Sequence, residues 1–277
     1  MQIESPARAR FVSLLERPVP PLDEAALAIA AEEYADLDPA ASLAELDRLA
    51  ALVRRRTAST LRASATLRAL REVIFEDEHF RGNERDYYDA RNSYLNQVLE
   101  RRLGIPISLS IVLMEVARRA GLRLDGVGFP GHFLVKLVPE AGPDVFVDAY
   151  NGGELLSGEE CVARFKNVVH GREFDPSWLQ AVPPRQILSR MLHNLKRIYV
   201  EQGDDVRAYW VVDRLHLLAP DDADELRDRG LVAARLGLKP AAARDLEAYL
   251  AKVPSAADGD EVRELLGSLK ARPALLN

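Results

Sequence analysis

The sequence has a single cysteine, Cys161, which excludes an internal disulfide and a cysteine-built zinc cage. It has no basic excess. With 37 Lys and Arg against 43 Asp and Glu, the formal net charge is −6, and no global field would draw the chain to nucleic acid or an anionic bilayer. No apolar run approaches the ~18–20 residues of a membrane span. Met1-Gln2-Ile3-Glu4 lacks the basic flank and apolar core of a signal peptide. The expectation is a cytoplasmic protein with no nucleic-acid or membrane partner. What is present is an apolar share of 48% and a charged share of 29%, the composition of a soluble globular chain. At 277 residues it can build one large core or two ordinary ones.

Three regions follow along the chain. Residues 1–85 read as helical, dominated by Ala, Leu, Glu and Arg, which lose little side-chain freedom in a helix. Asp23 is expected to cap a helix running through Leu27 to Tyr34, with Asp38-Pro39 at its end. Ser42, with Glu45 three residues later, reads as a capping box ahead of the stripe Leu43, Leu46, Leu49, Ala50 and Val53. Arg54-Arg55-Arg56 reads as a solvated helix end, and Leu61, Leu67, Leu70, Val73 and Ile74 continue the helical period. Phe80 to Asn92 is polar and aromatic and reads as a loop, after which Asn92 or Ser93 caps a short helix through Leu95, Val98 and Leu99.

Residues 86–182 form the central region. Pro106 suits a first helical turn, because its fixed φ is helical and its missing N–H costs nothing there. Leu109, Val112, Leu113, Val116 and Ala120 give the buried stripe, Arg118 and Arg119 suit the negative end of the dipole, and Gly121 closes the helix. Leu124 to Phe129, Phe133 to Val138 and Val145 to Val147 read as strands, with Pro139 to Pro143 as a turn. Asn151-Gly152-Gly153 reads as a loop, and a short helix is expected around Glu159 to Phe165. In residues 183–277 the set Gly203, Ala208 and Pro220 recurs as Gly237, Ala242 and Pro254, each pair 34 positions apart (237 − 203, 242 − 208, 254 − 220). That period, with glycine between helices and a terminal proline, resembles the tetratricopeptide repeat. Two repeats are too few to stand alone, so they are expected either to pack on the central region or to be capped by Val262 to Leu269. The fold class is α+β, predominantly helical, with a small antiparallel sheet.

A helix, then a strand opened by His132, then a strand closed by Asp148, is the skeleton of a catalytic triad. Ser108 and Ser110 lie near the helix start, where their hydroxyls either satisfy local backbone N–H groups or attack a substrate with His132 as base. Cys161 follows the Asp and reads as a small core residue. Glu115 reads as a surface or ion-paired acid, with a partly buried acid facing His132 as the sharper alternative. No spacing demands a metal, even from His132, Asp148 and Glu115, and no cofactor is implied. His79, His170, His193 and His216 carry no motif.

Tyr94-Leu95-Asn96, Gly104-Ile105-Pro106-Ile107-Ser108-Leu109-Ser110, Glu115 to Leu122, Phe129-Pro130-Gly131-His132-Phe133-Leu134-Val135 and Val147 to Gly153 together resemble the bacterial SirB-type family. The resemblance implies a transglutaminase-like core followed by tetratricopeptide-type helices. It also implies a papain-like triad: a Cys at a helix N-terminus, whose dipole and a nearby imidazole favour the thiolate, then the His, then the Asp. His132 and Asp148, 16 residues apart (148 − 132), match the second and third members. Pro106 stands where the resemblance puts the Cys. The expectation is a non-catalytic module that binds a protein or peptide through its cleft and its C-terminal helices. The alternatives are an acyl-transfer hydrolase or peptidase using Ser108 or Ser110, and a structural His–Asp relic.

Overall fold

The structure, a computed structural model, describes residues 5–58, 62–139, 142–168 and 173–271. It divides into two compact units, one within Glu4–Met191 and the other within Leu192–Asn277. Met1 to Glu4, Leu61, His170 and part of the expected Pro139 to Pro143 turn lie outside the described residues.

The first unit opens with helices α1 (Pro6–Leu15), α2 (Leu22–Ala30), α3 (Pro39–Arg56) and α4 (Ala63–Arg71), the last running into a π-helical turn, Glu72–Asp77. Two expected starts are corrected. Helix α2 begins at Leu22 with Pro21 in the cap position, and Asp23 is buried inside it, its carboxylate turned to Arg119 at 2.5 Å. Helix α3 begins three residues before Ser42, at Pro39, where Asp38 Oδ1 accepts from the Ala40 N–H at 2.9 Å. An acceptor followed by a proline that has no N–H to satisfy makes Asp38-Pro39 a helix start, although it reads as an end. Glu45 then binds Arg48 at 2.7 Å and Arg102 instead of closing a box.

The expected loop before the core contains a two-residue strand, β1 (Arg81–Gly82), parallel to β2 (Leu103–Gly104). Between them, α5 (Leu95–Arg101) ends on Arg102 in the left-handed region, φ 59°. Helix α6 (Pro106–Arg119) starts on its proline as expected, and Gly121 follows it at φ +86°. Val112, Leu113 and Val116 on α6 are fully buried.

Strands β3 (Asp125–Val127), β4 (Leu134–Leu137), β5 (Val145–Asp148) and β6 (Glu154–Leu156) form an antiparallel sheet in that order. Strand β6 is additional to the sequence reading. Gly152 and Gly153, at φ +66° and +74°, turn the chain back into it. Side chains alternate across the sheet. Leu134, Phe146 and Leu156 face a cluster with Cys161 and Phe165 of α7 (Gly158–Val168). The opposite face carries Val135, Leu137, Val145, Val147 and Leu155.

Helix α8 (Pro184–Glu201) runs into the second unit, which continues with α9 (Asp205–Leu218), α10 (Ala223–Arg235), α11 (Lys239–Lys252) and α12 (Gly259–Lys270). The repeat is visible bond by bond. After α8, Gly203 has φ +69° and the Asp204 N–H reaches the Tyr199 carbonyl at 2.9 Å. After α10, Gly237 has φ +71° and the Leu238 N–H reaches the Ala233 carbonyl at 2.9 Å. Ala208 and Ala242 are both fully buried. Gly230 lets α11 approach α10 closely, since a Cβ there would lie 2.7 Å from Leu246. Val262 and Leu266 of α12 close the cluster around Leu246 and Tyr249, as expected for a cap.

Candidate functional site

Asp148 ends β5 and is almost completely buried, yet every side of its carboxylate is met by a donor. Oδ1 lies 2.8 Å from His132 Nε2 and accepts from the backbone N–H groups of Tyr150 and Asn151 at 3.2 Å. Oδ2 accepts from Asn151 Nδ2 at 2.8 Å and from Arg164 Nη1, on α7, at 2.9 Å. Burial works against ionisation here, but the hydrogen bonds and charge of His132 and the donors of Asn151 outweigh it and hold the carboxyl below its usual range. An ionised Asp148 keeps the proton of a neutral His132 on Nε2, which leaves Nδ1 as the basic nitrogen.

His132 lies in the turn before β4 and not on the strand itself. Gly131 at φ +69° and a 3.0 Å bond from the His132 N–H to the Phe129 carbonyl shape that turn. Arg190, a residue the sequence reading passed over, clamps it: Nη2 donates to the carbonyls of Phe129 at 2.9 Å and of His132 at 2.5 Å. The imidazole meets Tyr150 edge-on with centroids 6.2 Å apart, and Tyr150 meets Tyr87 at 6.0 Å. Gly82 makes room for this contact, because a Cβ there would lie 2.5 Å from the Tyr150 ring. Tyr87 and Tyr88 carry the aromatic path on to an exposed surface.

The helix start is built differently. Pro106 is the first residue of α6. Ser108 Oγ accepts from the Ile105 N–H at 3.1 Å and donates to the Asn92 carbonyl at 2.6 Å, so its hydroxyl is committed to the fold. Ser110 Oγ is buried without a hydrogen-bond partner. Among the described residues neither hydroxyl bonds His132. Asn92, expected only as a possible helix cap, is the hub of this end. Its Oδ1 accepts from Asn83 Nδ2 at 3.0 Å, and its Nδ2 donates to the Asp86 and Tyr87 carbonyls at 2.7 and 3.2 Å.

Glu115 belongs to another network. It is buried and bonded to Arg118 and Arg119, each at 2.7 Å, and Arg119 also holds Asp23. Burial and the charge of Asp23 push the Glu115 carboxyl up in spite of the two arginines. Cys161 is fully buried in the sheet's aromatic cluster, and burial pushes its thiol up to about 11, which suits an inert core residue. Among the described residues no group of three or more His, Cys, Asp or Glu is placed to hold a metal ion. His193 pairs with Glu225 at 2.9 Å. Among the described residues no helix is long and apolar enough to cross a membrane.

Comparison with known proteins gives two family matches. The transglutaminase-like superfamily profile matches residues 40–193, and a tetratricopeptide repeat profile matches residues 195–267. A UPF0162 protein of Xylella fastidiosa is 40% identical over 247 residues, 88% of either chain. A UPF0162 protein of Pseudomonas aeruginosa is 34% identical over 252 residues, covering 88% of this chain and 89% of its own. F-box only protein 21 of Mus musculus is 33% identical over 187 residues, 64% of this chain but 29% of that one. No solved structure matches the chain. The chain, with its small antiparallel sheet carrying a His–Asp pair and its 34-residue helical hairpins, thus belongs to the transglutaminase-like superfamily, within the UPF0162 proteins.

Proposed function

We propose that this protein is a non-catalytic member of its superfamily, a cytoplasmic module that binds a protein or peptide through a cleft of its transglutaminase-like core and through its tetratricopeptide-like helices. The observation that carries the reading is Pro106. A proline at the first helical position keeps the helix start and supplies no nucleophile. The serine hydroxyls do not replace it, because Ser108 is spent on Asn92 and Ile105 and Ser110 is enclosed. The His–Asp pair then orders the turn between β3 and β4, and the exposed rings of Tyr87 and Tyr88 beside Tyr150 offer contact area at low entropic cost.

A fluorophosphonate probe followed by intact-mass measurement tests the reading. The expected result is no adduct on the full chain. An adduct that His132→Ala abolishes would establish a hydroxyl nucleophile and overturn it. Selection of displayed peptides on the full chain tests the binding half. Enriched peptides should lose affinity when Tyr87 and Tyr88 are both changed to alanine, or when the repeat surface is altered. Failure to enrich any sequence would contradict a peptide-binding role.

A further inference from the structure

Helix α4 and the margin of the four-stranded sheet enclose a groove of about 1140 Å³, lined by no residue of the His132–Asp148 site. Its floor is one end of a sheet face. Leu137 and Val145 are paired across β4 and β5, and Leu155 pairs with Val147 across β5 and β6, which places all four on the same side. Toward the middle of that face Val135 and Val147 are fully buried, whereas Leu155 is 43% exposed and the neighbouring Val138 58% exposed. The apolar face therefore runs out past its cover.

The opposite wall is a helix face. Ser64, Leu67, Arg68 and Arg71 follow each other at i, i+3, i+4 and i+7 along α4, and all four line the groove. Arg123 completes a rim of three guanidinium groups with Arg68 and Arg71, and Arg62 at the helix start also lines the groove. Arg71 is steadied by a bond from Nε to the Gly153 carbonyl, and Arg123 by Asp125 at 3.0 Å. Arg68 is exposed. Among the described residues no Asp or Glu lines the groove, in a chain whose net charge is −6. The charged side chains among its described lining residues are all basic, and Asp125 pairs with one of them, Arg123.

We propose that this groove is a docking site for an extended segment of a partner protein that alternates apolar and acidic side chains. The apolar groups would cover Val138, Val145 and Leu155, and the carboxylates would meet the arginine rim, where guanidinium forks match them. An inorganic anion would leave the apolar floor uncovered. Among the described residues lining the groove, a single-stranded nucleic acid would find no aromatic side chain on which to stack. A flat bilayer does not enter a concave groove. The proposal concerns a surface apart from the His132 site and stands whether or not that site is chemically active.

Fluorescence polarisation with a fluorescein-labelled peptide of alternating leucine and glutamate tests it on the full chain. Saturable binding that weakens with added salt is expected. The combined change Arg68→Glu and Arg123→Glu should weaken binding by about tenfold or more, and Leu155→Ser should also weaken it. Arg68→Lys should retain most of the affinity, and circular dichroism will show that these surface variants fold. A peptide with lysine in place of glutamate should not bind. No binding, equal binding of the lysine peptide, or affinity unmoved by charge reversal would each overturn the proposal. So would displacement of the peptide by inorganic pyrophosphate, which would reveal an anion site, or by phosphatidylserine vesicles, which would reveal a membrane-facing surface.

Discussion

The two ends of the candidate site are built to different standards. At the sheet, the buried Asp148 accepts from His132, Asn151, Arg164 and two backbone N–H groups, and Arg190 pins the turn that carries the imidazole. This is the arrangement that orients a general base. At the helix start Pro106 has no reactive group, and the Ser108 hydroxyl completes the Asn92 network. On the proposed non-catalytic reading, the base and its orienting acid are kept as architecture. A buried carboxylate with several donors organises the strand ends and α7 around itself whether or not chemistry follows.

That comparison is exposed to attack at several positions. Asp148→Ala should be the most damaging change, at about 3 kcal/mol, because it leaves several donors around a buried site unpaired. Chemical denaturation measures it. The folded Asp148 carboxyl titrates below its unfolded value of about 3.9, so its contribution is present above that pH and is lost as pH falls through the folded value. The gap between wild type and Asp148→Ala should therefore narrow in acid below about pH 4. A constant gap would show that His132 and Arg164 do not act on an ionised Asp148.

Ser108→Ala should cost less, about 1–3 kcal/mol, since it strips a donor from the Asn92 carbonyl and an acceptor from the Ile105 N–H. Ser110→Ala should change stability by no more than about 0.5 kcal/mol, because its buried hydroxyl has no partner to lose. If Ser110→Ala proved the costlier of the two, the hydroxyl roles assigned at the helix start would be reversed.

Much of this was legible in the sequence, for local reasons. The start of α6 at Pro106 and its close at Gly121 depend on backbone rules that act within a few residues. The 34-residue period became two turns with the same glycine conformation and corresponding hydrogen bonds. The pairing of His132 with Asp148 followed from the order of the two motifs, although His132 proved to lie in the turn before its strand. What stayed hidden depends on tertiary contacts. Asp23 looks like a cap, but Arg119, 96 residues on, draws it into the core. The parallel pair β1 and β2 is two residues long and has no periodicity to betray it. Asn92, Arg164 and Arg190 hold the site, but an isolated Asn or Arg in a polar segment carries no pattern.

The proposed function rests on Pro106 standing where the family resemblance puts the nucleophile. Pro106→Cys tests it most directly, through the pH dependence of alkylation by iodoacetamide, with Cys161→Ser in the background so that one thiol is read. If position 106 adjoins His132 as the proposal requires, a thiol there should titrate below the ~8.5 of an ordinary cysteine, and His132→Ala should return it toward that value. A thiol that reacts identically with and without His132 would place the helix start and the His–Asp pair in unrelated sites and contradict the account.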